Sequence, residues 1–144
     1  IYQLKKNNLR INKVCCIYPA APLLNAKDII QGYKNLKRKI DYVLCASTFP
    51  SSINRAFKIN KRNKKLKIIN KKKFNKSVNK NLSSYSDAGQ FYWGHTSSWI
   101  KKKNIFKFKV DVVAIPRRRA QDINFIDDRI TAEKLFKLKI NEKK

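Results

Sequence analysis

A chain of 144 residues with 42% hydrophobic and 11% aromatic side chains can bury one domain's core, which excludes a disordered polypeptide. A formal net charge of +26 and an isoelectric point near 10.3 point first to an anionic partner such as nucleic acid. Lys, Asn and Ile are inflated together while Ala, Gly and Arg are scarce, however, and that joint bias is expected of coding composition, leaving most lysines as a solvated background.

The first residues, IYQLKKNNLRINK, carry neither the charged start and apolar core of a secretory signal nor a run long enough to span a membrane. A soluble, cytoplasmic protein without a membrane partner is expected. The chain contains no Met and opens on Ile1, so an absent upstream segment is also expected. Residues 14–18 (VCCIY) form a short continuous apolar run, the pattern of a strand buried on both faces. The prolines of Pro19-Ala20-Ala21-Pro22 end it.

A helix is predicted from about Asn25, a good N-cap, with Asp28 in its first turn and Ile29, Tyr33, Leu36 and Ile40 at amphipathic spacing. Residues 42–47 (YVLCAS) are a second apolar run, and strand, helix, strand is the unit of a parallel sheet with a crossover helix. Residues 54–59 and 66–69 read as a hairpin joined by a Lys-rich turn, and residues 70–84 as a surface loop. Residues 89–93 are strand-like and aromatic, residues 97–103 suit a short helix, and residues 110–115 are the third apolar run. Asp127 is expected to cap a last helix that buries Ile130, Leu135, Phe136 and Leu138. The whole is predicted to be a single α/β domain with an open, mostly parallel sheet. Cys15, Cys16 and Cys45 are odd in number and lie in apolar runs, so buried free thiols are expected in place of a disulfide framework.

Ligands of open α/β sheets bind at the carboxyl ends of strands, which directs attention to PAAPLL, STFPSSINR and PRRRAQDIN. In the last loop Asp122 directly follows an apolar run and a cationic cluster. Such a carboxylate can hold Mg²⁺ together with substrate phosphates, or it can pair with Arg117 or Arg119. Arg117, Arg118 and Arg119 suit a carboxylate or phosphate as bidentate forks, or belong to a solvated turn. Phe91, Tyr92 and Trp93 are candidate pocket walls, and at least one of them is expected in the core. Gly89 and Gly94 flank these aromatics, as close backbone approach or special dihedrals would require. His95 has no partner at zinc-ligand spacing, and neither a nucleophile elbow, a Walker loop nor a dinucleotide fingerprint occurs.

Four strings, in this order, carry a family resemblance: Tyr18-Pro19-Ala20-Ala21-Pro22; Phe49-Pro50 leading to Arg55-Ala56; SDAGQFYWG from Ser86 to Gly94; and Ile115-Pro116 leading to Gln121-Asp122-Ile123. Together they resemble the pseudaminic acid cytidylyltransferases, which belong with the CMP-sialic acid synthetases. The resemblance implies a Rossmann-like α/β domain of the nucleotide-diphospho-sugar transferase type, lacking its first βα units here. It further implies CTP and Mg²⁺ as partners, with the anomeric hydroxyl of a nonulosonic acid attacking the α-phosphate and releasing pyrophosphate.

By match to the family's motifs Asp122 would be a metal ligand. Asn124 stands where sialic acid enzymes carry a second metal-binding Asp, and Ala20 where a hydroxyl residue is common. Arg117 and Arg119 would lie near anionic groups, and Pro22, Arg55, Asp87, Gln90, Phe91, Tyr92 and Gln121 would line the substrates. The family's Gly, Arg and Lys-rich phosphate loop has no counterpart in the chain, which therefore resembles the last three fifths of such an enzyme and is expected to be inactive alone. A homodimer is expected for the full-length enzyme. Sialic or legionaminic acid as the sugar is the nearest alternative. A basic nucleic-acid-binding module is the alternative from another class, and it leaves Asp122, Asp127 and Asp128 unexplained.

Overall fold

The computed structural model of the protein describes residues 1–7, 10–49, 52–74, 84–101 and 104–141. Its elements are α1 (Tyr2–Lys6), β1 (Lys13–Ile17), α2 (Ala26–Asn35), β2 (Tyr42–Thr48), β3 (Phe57–Ile59), β4 (Leu66–Ile68), α3 (Lys71–Phe74), β5 (Tyr85–His95), α4 (Thr96–Ile100), β6 (Val110–Ala114) and α5 (Ile126–Asn141). The chain divides into two compact units, one formed by residues 1–47 and 87–144 and the other by residues 48–86. No described helix is long and apolar enough to cross a membrane.

The larger unit is built on a four-stranded sheet in the order β1-β5-β2-β6. β2 and β6 are parallel, with Tyr42 opposite Val110 and Ala46 opposite Ala114. β1 and β5 are antiparallel, with Lys13 opposite His95 and Ile17 opposite Phe91. The sheet is therefore mixed, not mostly parallel, and β5 separates the two strands that α2 connects. Side-chain alternation identifies a strand but carries no information on the direction of its neighbour, so the sequence could not supply this.

Position in the sheet also changes the burial expected of the apolar runs. β1 and β6 stand at the two ends of the strand order, where Ile17 is 49% and Val112 44% exposed. Only β2, with neighbours on both sides, is buried over nearly its whole length. The cysteines follow the same rule: Cys45 of β2 is buried, Cys15 half-buried and Cys16 exposed, so the expectation of three buried thiols is corrected.

α2 begins as predicted, with the Asn25 side chain accepting the Lys27 N–H at 3.0 Å. It covers one face of the sheet, where Leu36, Val43, Cys45, Ala88, Phe91, Val113 and Ile115 form the main core. Tyr33, expected on the buried side, is 49% exposed and packs edge-on against Trp93, under the Lys13 ammonium. On the opposite face Leu44, Ala46 and Tyr92 pack with Trp99, Ile105 and Val110. At the end of the sheet where β2 begins, Asp41 accepts from the Ser98 hydroxyl and the Lys109 N–H, joining three segments through one carboxylate.

The last helix departs from expectation. Asp128, not Asp127, makes its N-terminal bonds, accepting from the N–H groups of Asn124 and Phe125. Ala132 is its buried side chain, while Ile130, Phe136 and Leu138 are 44%, 46% and 59% exposed. Between α5 and the turn after β1 lies a groove of about 490 Å³ lined by Pro22, Ile123, Ala132 and Phe136, with Arg129, Glu133 and Lys137 also contributing.

In the smaller unit β3 and β4 form the predicted hairpin, with Phe57 opposite Ile68, Lys58 opposite Lys67 and Ile59 opposite Leu66. Alternation puts Phe57, Ile59, Leu66 and Ile68 on one face and the two lysines on the other. Residues 75–83, within the expected surface loop, lie outside the described residues, as do Pro50 and the last two residues of the helix expected at 97–103.

α2 approaches β5 most closely at Gly32, where an added Cβ would lie 2.7 Å from Trp93 Cδ1 and 2.8 Å from Phe91 Cε2. Trp93 also donates its indole N–H to the Ile29 carbonyl at 2.9 Å, so that ring has little room to withdraw. Ala is normally the better residue inside a helix, by about 1 kcal/mol. Gly32→Ala is expected to reverse that sign and destabilise the protein by about 1–3 kcal/mol through overpacking, measured by chemical denaturation. An unchanged or raised midpoint would contradict the close approach.

Candidate functional site

The carboxyl end of β1, the first half of β5 and the segment following β6 converge in the larger unit. The convergence depends on an irregularity in β5. Ala88 packs into the same cluster as Phe91 and Trp93, although these lie three and five positions further on and strict alternation would send them to the opposite face. The alternation slips once between them, and Gly89 there has φ +59, the left-handed conformation a bulge of this kind requires.

The slip shapes both sides of the strand. Asp87 turns back on it, accepting the Gly89 N–H on Oδ1 at 3.0 Å and the Tyr92 hydroxyl on Oδ2. On Gly89 itself the absent side chain leaves space for Asp122: an added Cβ would stand 3.1 Å from the Asp122 Cγ. Asp122 is exposed, and its Oδ2 accepts from the Asn124 amide at 3.0 Å. Two carboxylates thus flank one glycine, and the glycine pattern around the aromatics has its physical explanation. Gly94 meets the expectation of close approach, since a Cβ there would fall 2.6 Å from Trp99 Nε1.

Gln90 is fully buried. Its Nε2 donates to the Arg119 carbonyl at 2.5 Å, and its Oε1 lies 3.8 Å from the Cys45 thiol, a weak donor. Phe91 is fully buried beneath α2 and Tyr92 is buried on the other face, where Tyr18 meets it edge-on. Residues 117–119 form a single 3₁₀ turn after β6. Arg117 and Arg118 are exposed, whereas Arg119 turns inward to Asp28 of α2. Gln121 is half-buried, and Ile123 donates its N–H to the Ala20 carbonyl at 3.3 Å, fastening the segment to the turn after β1. Pro22 is exposed on that turn and borders the groove beside α5. Arg55 belongs to the smaller unit, exposed at the end of the short turn Ile53–Arg55.

Two residues here escaped the sequence reading. Asp28 looks like a helix-capping charge, and nothing in local sequence ties it to residue 119. Ser47, at the carboxyl end of β2, is buried with its hydroxyl lacking a hydrogen-bond partner among the described residues. Among the described residues no group of three or more His, Cys, Asp and Glu could hold a metal ion. What converges is two carboxylates around Gly89, with the Asn124 amide on Asp122, a set suited to hard cations and not to zinc.

The chain is 32% identical over 136 residues to the pseudaminic acid cytidylyltransferases of Campylobacter jejuni subsp. jejuni serotype O:2 (strain ATCC 700819 / NCTC 11168) and serotype O:23/36 (strain 81-176). The match covers 94% of the chain and 58% of each relative, so the chain spans less than two thirds of the length of these curated relatives. No protein-family model matches it.

The thiols offer a check on the core of this region. Burial raises the Cys45 thiol to about 12, with the Asp28 charge adding to the rise, and raises Cys15 to about 11. Because the thiolate is the reactive form, a group at 12 is roughly one part in ten thousand ionised at pH 8. A disulfide reagent at that pH is expected to label exposed Cys16 first, Cys15 slowly, and Cys45 only after denaturation. Labelling of Cys45 in the native protein at the rate of Cys16 would show that this core is open.

Proposed function

We propose that the chain belongs to a pseudaminic acid cytidylyltransferase, and that the polypeptide carrying it transfers a cytidylyl group from CTP to a nonulosonic acid, pseudaminic acid in the first instance, with release of pyrophosphate. One observation carries the assignment beyond similarity: Gly89, in the SDAGQFYWG string, and Asp122, 33 positions later, are in direct apposition, with space that a Cβ would fill. Packing alone has no need of an exposed carboxylate held against a left-handed glycine. A site that must hold a charge at a fixed point does.

Asp122 serves in this proposal as the metal ligand, with Asn124 beside it. Mg²⁺ is commonly bound through one or two carboxylates plus substrate phosphates, so an exposed Asp122 and an amide are a compatible, sparse donor set. The ion would supply Lewis-acid stabilisation of charge at the phosphate oxygens. The protein's own part is orientation. Asp87, fixed by Gly89 and Tyr92, is proposed to meet the hydroxyls of the sugar. Exposed Arg117 and Arg118 are free to meet carboxylate or phosphate groups. Pro22, Gln121 and the turn after β1 border the same region. The proposed setting is the cytoplasm, with a sheet of Rossmann-like descent.

A homodimer is proposed through the hairpin. Two-stranded hairpins are marginal in water, and here Phe57, Ile59 and Leu66 are 47%, 57% and 55% exposed on one face. A second copy of the same apolar face is a self-complementary cover.

The test is pyrophosphate release from CTP and pseudaminic acid with Mg²⁺, on both the 144-residue chain and the gene product that contains it. Asp122→Ala is expected to lower kcat about a hundredfold or more, as loss of a charge-holding group at a reacting phosphate does. Unchanged turnover would remove Asp122 from the chemistry. Faster turnover of sialic or legionaminic acid would reassign the sugar while leaving the reaction. A basic nucleic-acid-binding module predicts instead tight, steeply salt-dependent DNA or RNA binding that is indifferent to CTP.

A further inference from the structure

Of the three consecutive arginines, Arg119 alone is directed into the protein, and what it meets is a carboxylate 91 residues away in sequence. Its two terminal nitrogens reach both oxygens of Asp28, Nη1 to Oδ2 and Nη2 to Oδ1, the latter at 3.3 Å. This is the fork that a planar guanidinium makes with a carboxylate, and it is sheltered, with the side chains 18% and 15% exposed. The same residue is gripped a second time through its carbonyl by the buried Gln90 amide. The segment's next anchor is the Ile123 N–H on the Ala20 carbonyl. Asp122 stands between these two anchors.

We propose that Asp28 is a positioning residue for Asp122: by holding Arg119 it fixes the turn after β6 and thereby the point at which the Asp122 carboxylate is presented. The catalytic consequence rests on the function proposed above, whereas the mechanical one does not. The contact also divides labour among the arginines. A guanidinium already neutralised by a sheltered carboxylate attracts a further anion weakly, which leaves exposed Arg117 and Arg118 as the turn's cations that face solvent. Arg119 is thus part of the frame, not a substrate clamp. A lysine would not serve equally, because a point charge cannot reproduce the two-point fork.

Backbone hydrogen exchange and steady-state kinetics together test this, using the polypeptide assayed for pyrophosphate release. In the wild type the N–H groups of Arg119, Ala120 and Ile123 bond to the carbonyls of Pro116, Arg117 and Ala20. Asp28→Asn is expected to speed their exchange about tenfold while the amides of β2 exchange as before, the signature of local opening. It is also expected to lower kcat about tenfold to a hundredfold with KM for CTP nearly unchanged, the pattern of a displaced group rather than a lost binding contact. Arg119→Lys should give a milder form of both changes, and the charge exchange Asp28→Arg with Arg119→Asp should restore slow exchange.

Unaltered exchange at Arg119, Ala120 and Ile123 in Asp28→Asn would overturn the proposal. So would uniformly faster exchange across the sheet, or a raised KM with kcat kept, which would make Arg119 a substrate clamp. If the wild type releases no pyrophosphate, the exchange measurements alone decide the positioning role, and only the proposed function fails.

Discussion

The left-handed backbone at Gly89 is the constraint on which the arrangement of this protein turns. A strand of eleven residues cannot place Ala88, Phe91 and Trp93 beneath one helix while keeping strict alternation. One residue must absorb the slip, and any residue bearing a Cβ would resist a positive φ at a cost of about 1–2 kcal/mol. Because the residue that absorbs it has no side chain, the same step opens the space that Asp122 occupies. A local backbone requirement and the placement of the Asp122 carboxylate are thus one feature.

Around that point two sheltered polar contacts hold one segment, residues 117–123. Gln90 is buried in an apolar core, where an unpaired amide would cost about 1–3 kcal/mol, so its bonds to Arg119 and Cys45 are obligatory for the fold. The Asp28 to Arg119 pair is set apart from the exposed Arg129 to Glu133 pair of α5, which lies on the surface and contributes little. The net charge of +26 is mostly a property of exposed lysines, and the acidic residues that matter are those held by specific partners. Asp28 accepts two hydrogen bonds from Arg119, and Asp41, Asp87 and Asp128 each accept two from different residues.

Much of the fold was legible along the chain. The Asn25 cap, the hairpin joined by its Lys-rich turn, the strand through SDAGQFYWG and a final helix all follow from capping preference, periodicity and turn chemistry. What failed were inferences from local pattern to surroundings. VCCIY and VDVVAI read as doubly buried strands, but apolar composition does not say whether a strand has neighbours on both sides, and β1 and β6 stand at the ends of the order. For α5, propensity gave a helix, while the burial of Ile130, Phe136 and Leu138 depended on a cover that the described residues do not provide.

The sequence by itself determined much of the strand and helix content and the special status of two of the three glycines, because dihedral limits and hydrophobic periodicity act within a few residues. It also singled out Asp122, since an acidic residue in so basic a chain is conspicuous wherever it occurs. Tertiary structure alone decided that β5 lies between β1 and β2, that Gly32 is the contact of α2 on Phe91 and Trp93, and that Arg119 belongs to Asp28. Each of those outcomes joins residues far apart in the chain, and no local energy term selects one distant partner over another until the packed core has fixed where both must stand.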